Sequence, residues 1–175
     1  ALAHLPHKTG AIKIQDVRRE ILGSWVAEGA GGPQLAANPR LDVIDLDEVG
    51  AIVGPVTVVD STFGTPVLQQ PLRHGVDLVL HSATKGIAGH NDATLGVVAG
   101  SRELIDWLWG FAVLHGASAS PYDALNATRG IRTLPVRVAR QSETALALAT
   151  ALEAHPGATE VRYPGLASHP QHELA

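Results

Sequence analysis

Apolar positions along the chain fall into short dense runs and longer stretches at helical spacing. Residues 56–60 (VTVVD) and 76–81 (VDLVLH) are rich in β-branched and aliphatic side chains and too short for helices, so each predicts a buried strand. The fifteen residues between them, 61–75, exceed the dozen or so that a parallel crossover requires, which predicts two neighbouring parallel strands. Asp60 and Lys85 then share the C-terminal edge of a sheet, where open α/β sheets bind ligands. Residues 95–99 predict a third strand, and 160–162 the start of another.

Helical spacing appears elsewhere. Ile14, Val17, Ile21 and Leu22 suggest a helix within 11–29, interrupted by Gly23 and Gly29. After the Asn38-Pro39 turn, Leu41, Val43, Ile44, Leu46, Val49 and Ile52 suggest a short helix closing at Gly54-Pro55. Ser101 can cap a helix carrying Leu104, Ile105 and Leu108, and Ser120-Pro121 opens another. An alanine-rich helix follows over 134–154 and stops before Pro156-Gly157. Strands followed by helices make the fold class α/β.

Composition narrows the partners. A net charge of −4, with 13 basic residues spread along the chain, argues against nucleic acid or an anionic membrane and for a small molecule. With no cysteine there is no disulfide frame or thiolate metal site, and no segment approaches the roughly 18 apolar residues of a membrane span. The first ten residues lack the apolar centre of a signal peptide, so a cytoplasmic location is expected. No methionine occurs, not even at position 1, which suggests a fragment, a processed form or a modified residue.

A lysine directly after a buried strand, behind small and hydroxylated residues, can be held at a pocket mouth as a nucleophile toward aldehydes, and Lys85 is the candidate. A carboxylate ending the neighbouring strand, Asp60, suits a pyridine nitrogen that must stay protonated; this pairing is the recurring arrangement for pyridoxal phosphate (PLP). Ser82 and Thr84 offer hydroxyls to a phosphate, and Thr62 could back the ring or Asp60. The plainer alternative is a surface lysine on a loop and a carboxylate that only ends a strand. Ser82-Ala83-Thr84-Lys85 also spells S-x-x-K and Lys8-Thr9-Gly10 spells K-T-G, but their order is reversed from that of serine β-lactamases and no S-D-N lies between. His81, His90 and Asp92, or His169 and His172, lack a metal-ligand spacing, so no metal site is expected. Trp107, Trp109 and Phe111 suggest packing, and Arg129, Arg132, Arg137 and Arg140 a solvated or subunit-contact face.

The stretch VVDSTFGTPVLQQPLRHGVDLVLHSATKGIAGHND (58–92) resembles the surroundings of the cofactor lysine in the Cys/Met-metabolism family of PLP enzymes. That family includes cystathionine gamma-synthase, cystathionine lyases, methionine gamma-lyase and homoserine sulfhydrylases. The resemblance takes in Asn38-Pro39-Arg40-Leu41, Ser120-Pro121-Tyr122-Asp123, TRGIRTL (128–134) and YPGLASHPQHELA (163–175), about residues 38–175 in all. It implies a partial large domain of a fold-type I PLP-dependent transferase, with a mostly parallel sheet flanked by helices. Residues 1–37 would be a poorly legible N-terminal segment, 38–155 part of the PLP-binding domain, and 156–175 the start of a C-terminal domain.

By the same resemblance, Lys85 would hold the cofactor covalently and then move protons between substrate carbons. Asp60 would pair with the pyridine nitrogen, Ser82 and Thr84 would bind the phosphate, Asn38 would sit near the ring hydroxyl, and Thr62 would support the ring face. The implied activity is β- or γ-elimination, or γ-replacement, on cysteine-, homocysteine- or homoserine-type amino acids, in a homotetramer built as a dimer of dimers. The family's phosphate loop and ring-stacking tyrosine have no counterpart in 1–37, and GGPQLAA (31–37) replaces the strand before Asn-Pro. The alternative is therefore a catalytically silent fragment or structural subunit that keeps the fold and an oligomer interface.

Overall fold

Three strands, β1 (Val58–Asp60), β2 (Leu78–Ser82) and β3 (Gly96–Gly100), form one sheet in that order. The computed structural model describes residues 41–175, so the helix expected within 11–29, the K-T-G triplet and Asn38 lie outside the described residues. β1 and β2 run parallel, with Val58 opposite Leu78 and Asp60 opposite Leu80, as the length of their connection predicts. α1 (Leu46–Gly50) precedes β1, and the β1–β2 connection holds the single-turn helix α2 (Thr65–Leu68) and a 3₁₀ turn at Pro71–His74. β3 returns antiparallel to β2, with Ser82 opposite Gly96 and Leu78 opposite Gly100. The 83–95 connection contains no crossover helix, so the chain comes back in the opposite direction.

Each strand begins later than its apolar run. At the start of the first run the Thr57 N–H and hydroxyl both donate to Asp77 Oδ2 (2.8 Å each), and Asp77 N–H donates to Thr57 Oγ1 (3.0 Å). This side-chain clasp adds to the backbone bond from Leu78 N–H to Thr57 O (3.0 Å) just before Val58. Val59, Leu78 and Val79 are buried, which makes β2 the centre of the sheet's core.

Side chains on either side of the turns define the helices. Ser101 caps α3 (Arg102–His115) by accepting from Leu104 N–H, and Gly116 ends it in the left-handed region at φ 72°. Ser120 caps α4 (Pro121–Ile131) by accepting from Asp123 N–H, with Pro121 at the first helical position. α5 spans Leu134–Glu153, as its alanine-rich pattern predicts. On α3, Trp107 and Phe111 are half-buried, but Trp109 is 64% exposed rather than packed.

The described residues fall into two contact units, 46–134 and 41–45 with 135–175. In the second, Gln171 accepts from Val43 N–H (2.7 Å) and donates to Val43 O (2.6 Å), while Leu166 and His169 are buried. Residues 160–162 take no strand pairing; Arg162 Nε instead donates to Glu160 Oε1 at 2.6 Å. Among the described residues, no helix is long and apolar enough to cross a membrane.

Candidate cofactor site

Parallel register brings the expected groups to one edge. Because side chains alternate along a strand, Asp60, its partner Leu80 and Ser82 lie on one face, while Val59, Val79 and His81 lie on the other. Asp60 and Ser82 therefore close the same face at the C-terminal end of the sheet. Lys85 follows three residues on, its N–H donating to Ser82 O (3.1 Å) and its carbonyl accepting from Gly89 N–H (2.8 Å). The lysine is exposed, and it is the one lysine among the described residues.

The loop after β1 is laced onto the turn after β2. Ser61 N–H continues the ladder to Leu80 O (2.9 Å), and Ser61 O faces His81 Nδ1 at 3.0 Å. Thr62 N–H donates to Asp60 Oδ1 (2.9 Å), and Thr62 Oγ1 accepts from Ser82 N–H (2.7 Å). Thr65 is buried with φ 54°, a left-handed conformation that costs a β-branched residue of order 1–3 kcal/mol. Its methyl lies 3.0 Å from where a Cβ on Gly86 would stand, so the glycine lets the lysine turn approach the strained residue.

Thr84 is engaged differently from Ser82. Its Oγ1 accepts from Leu95 N–H (3.0 Å) and donates to Leu95 O at the long distance of 3.4 Å. Beyond the lysine, Ala88, Ala93 and Ala127 form a small core with Leu95, pinning the 86–94 segment to α4. Asp123 Oδ1 accepts from Thr94 N–H (2.9 Å), and Asn126 Nδ2 donates to Asp92 O (2.8 Å). The Ser120 hydroxyl and the Thr94 amide hold the Asp123 carboxyl below the usual carboxylate range.

The spacing of His81 in the sequence does not mark it as part of this site. It is 6% exposed, and burial lowers its pKa below the ordinary imidazole value against the opposing pull of Ser61 O and the Asp60 charge. A carbonyl only accepts, so Nδ1 carries the proton toward Ser61 O. The sequence signal available was a polar ring on the core-facing parity of an apolar strand. Thr65 carried no such signal, since its backbone strain follows from tertiary packing. Among the described residues no three acidic, histidine or cysteine side chains gather as metal ligands.

An amine, a carboxylate and hydroxyls at one sheet edge are a donor set suited to an aldehyde, a pyridinium nitrogen and a phosphate. The sequence profile of the family described as "Cys/Met metabolism PLP-dependent enzyme" matches residues 35–175. The chain belongs to this family. Among its relatives are a cystathionine beta-lyase of Coxiella burnetii, 43% identical over 144 residues that cover 79% of this chain and 37% of the relative. An L-methionine gamma-lyase of Brevibacterium sandarakinum is 51% identical over 131 residues, 74% of this chain and 33% of the relative. A cystathionine gamma-synthase of Mycobacterium leprae is 44% identical over 143 residues, 79% of this chain and 37% of the relative. The matched part of the chain thus spans about a third of these relatives' length. Membership in the Cys/Met-metabolism family implies PLP as the cofactor.

Proposed function

We propose that this chain carries the lysine-bearing part of a PLP-dependent enzyme of sulfur amino-acid metabolism, which makes or breaks a bond at the β or γ carbon of a small amino acid. The observation that carries the reading is the placement of Asp60 and the Lys85 turn at one C-terminal sheet edge, on adjacent parallel strands. The relatives' names, cystathionine beta-lyase, L-methionine gamma-lyase and cystathionine gamma-synthase, support this substrate class.

When bound, the cofactor supplies an electron sink for the carbanion formed at the substrate's Cα. Lys85 would hold the cofactor through Nζ, and its amine would be the group that takes the Cα proton and returns protons to substrate carbons or the leaving group. The Asp60 carboxylate would accept the pyridine N–H and keep that proton in place; its Oδ1 is already oriented by Thr62 N–H. Ser82 and Thr84 would donate to the phosphate, and the Thr84 hydroxyl is held only by a long 3.4 Å bond to Leu95 O, which a charged acceptor would outcompete. Thr62 would support the ring face, and Asn38, which precedes the described residues, would serve the ring hydroxyl.

Residues 38–155 belong on this reading to the PLP-binding domain, and 156–175 begin the next. The enzyme works in the cytoplasm as a dimer of dimers. The test is turnover of cystathionine, methionine and O-acylated homoserine by the PLP-loaded enzyme, followed through oxo-acid or thiol release. Turnover of any of them that disappears with Lys85→Ala supports the reading; no turnover of all three by a loaded enzyme contradicts it.

A further inference from the structure

Thr62 uses its two polar groups in opposite directions. Its backbone N–H holds Asp60 Oδ1 at 2.9 Å, and its side-chain Oγ1 receives the Ser82 N–H at 2.7 Å. Ser82 O in turn receives the Lys85 N–H at 3.1 Å. One residue therefore joins the carboxylate assigned to the cofactor's ring nitrogen to the turn assigned to its phosphate and aldehyde. The Ser61 N–H to Leu80 O bond belongs to the strand ladder, whereas the Thr62 hydroxyl bond spans the gap beyond the last paired residues, Asp60 and Leu80.

We infer that Thr62 is a positioning residue whose hydroxyl clasps the 82–85 turn to the Asp60 strand end, setting the spacing at which the two ends of the cofactor are gripped. This rests on the proposed function and goes beyond it by moving the role of Thr62 from its methyl against the ring to its hydroxyl against a backbone amide. The two roles demand opposite substitutions. Thr62→Val keeps the branched shape and removes the acceptor; Thr62→Ser keeps the acceptor and removes the methyl.

The experiment measures cofactor dissociation from the PLP-loaded enzyme, together with amide exchange of the peptide spanning residues 80–85. Thr62→Val is expected to release PLP about tenfold faster, equivalent to ~1.4 kcal/mol, and to speed exchange at Ser82, because that amide loses its acceptor. Thr62→Ser is expected to stay within about twofold of wild type, as a retained hydrogen bond implies. Should Thr62→Val fail to fold, Thr62→Ala removes the same acceptor and carries the same expectation.

Retention and exchange unchanged in the acceptor-free variant, in an enzyme whose PLP is trapped on Lys85, overturn the clasp alone. Loss of PLP in Thr62→Ser but not in Thr62→Val overturns it in favour of the methyl. Trapping of PLP in wild type on a lysine other than Lys85 overturns the proposed function and the clasp together.

Discussion

Gly130 of α4 and the Ala88 carbonyl are packed so closely that a Cβ on Gly130 would stand 2.1 Å from Ala88 O. Ala88 N–H is already bonded to Ala83 O (2.8 Å), so this carbonyl belongs to the turn that carries Lys85 and cannot rotate away as a side chain would. Gly130→Ala is therefore expected to destabilise the fold by about 1–3 kcal/mol, the usual cost of overpacking. Urea denaturation should show a lower midpoint at unchanged slope.

Lys85 and Asp60 should separate into attachment and chemistry. Lys85→Ala removes the only lysine in residues 41–175 and is expected to abolish borohydride-fixed PLP there. Asp60→Asn leaves attachment intact but removes the charge facing the ring nitrogen, with an expected loss of about 10²–10³ in kcat. Absorbance of the loaded enzyme and turnover of cystathionine read the two effects independently.

The strand pair and its direction were legible because β-branched runs and a fifteen-residue linker leave few alternatives. The helix expected from Leu41 to Ile52 shrank to Leu46–Gly50 for a reason that lies far along the chain. Both backbone groups of Val43 are taken by Gln171, 128 residues later, and Leu41 sits at φ 58°, so neither joins a helix. The same holds at the site. Lys85, Asp60 and Ser82 follow from where strands end, but the Thr84 to Leu95 pairing depends on a β3 that returns antiparallel, and the Thr65 strain on its close packing against Gly86.

Gln171 makes its own prediction. Gln171→Ala leaves the N–H and C=O of buried Val43 without these partners, and an unsatisfied buried group costs about 1–3 kcal/mol. Thermal unfolding should show the loss, whereas Gln171→Glu, which keeps an acceptor for Val43 N–H, should recover part of it.

His81 gives stability a pH dependence of known sign. Its folded-state pKa lies below the unfolded value of 6.5, so below that pH the unfolded chain binds the extra proton. The penalty is absent above the unfolded pKa and grows as pH falls from about 6.5 toward the folded pKa. His81→Gln, which can still donate to Ser61 O, should flatten that part of the profile. Denaturation midpoints between pH 5 and 8 for the two proteins provide the check.

The central claim, that Lys85 is the cofactor lysine, is tested most directly by adding PLP to the purified protein, reducing with borohydride and mapping the labelled peptide. The chain has three lysines, Lys8, Lys13 and Lys85, so the assignment is unambiguous within it. A visible absorbance band before reduction and a phosphopyridoxyl label on Lys85 afterwards are the predicted result. A folded, PLP-loaded protein labelled on Lys8 or Lys13 with Lys85 unmodified would contradict the account.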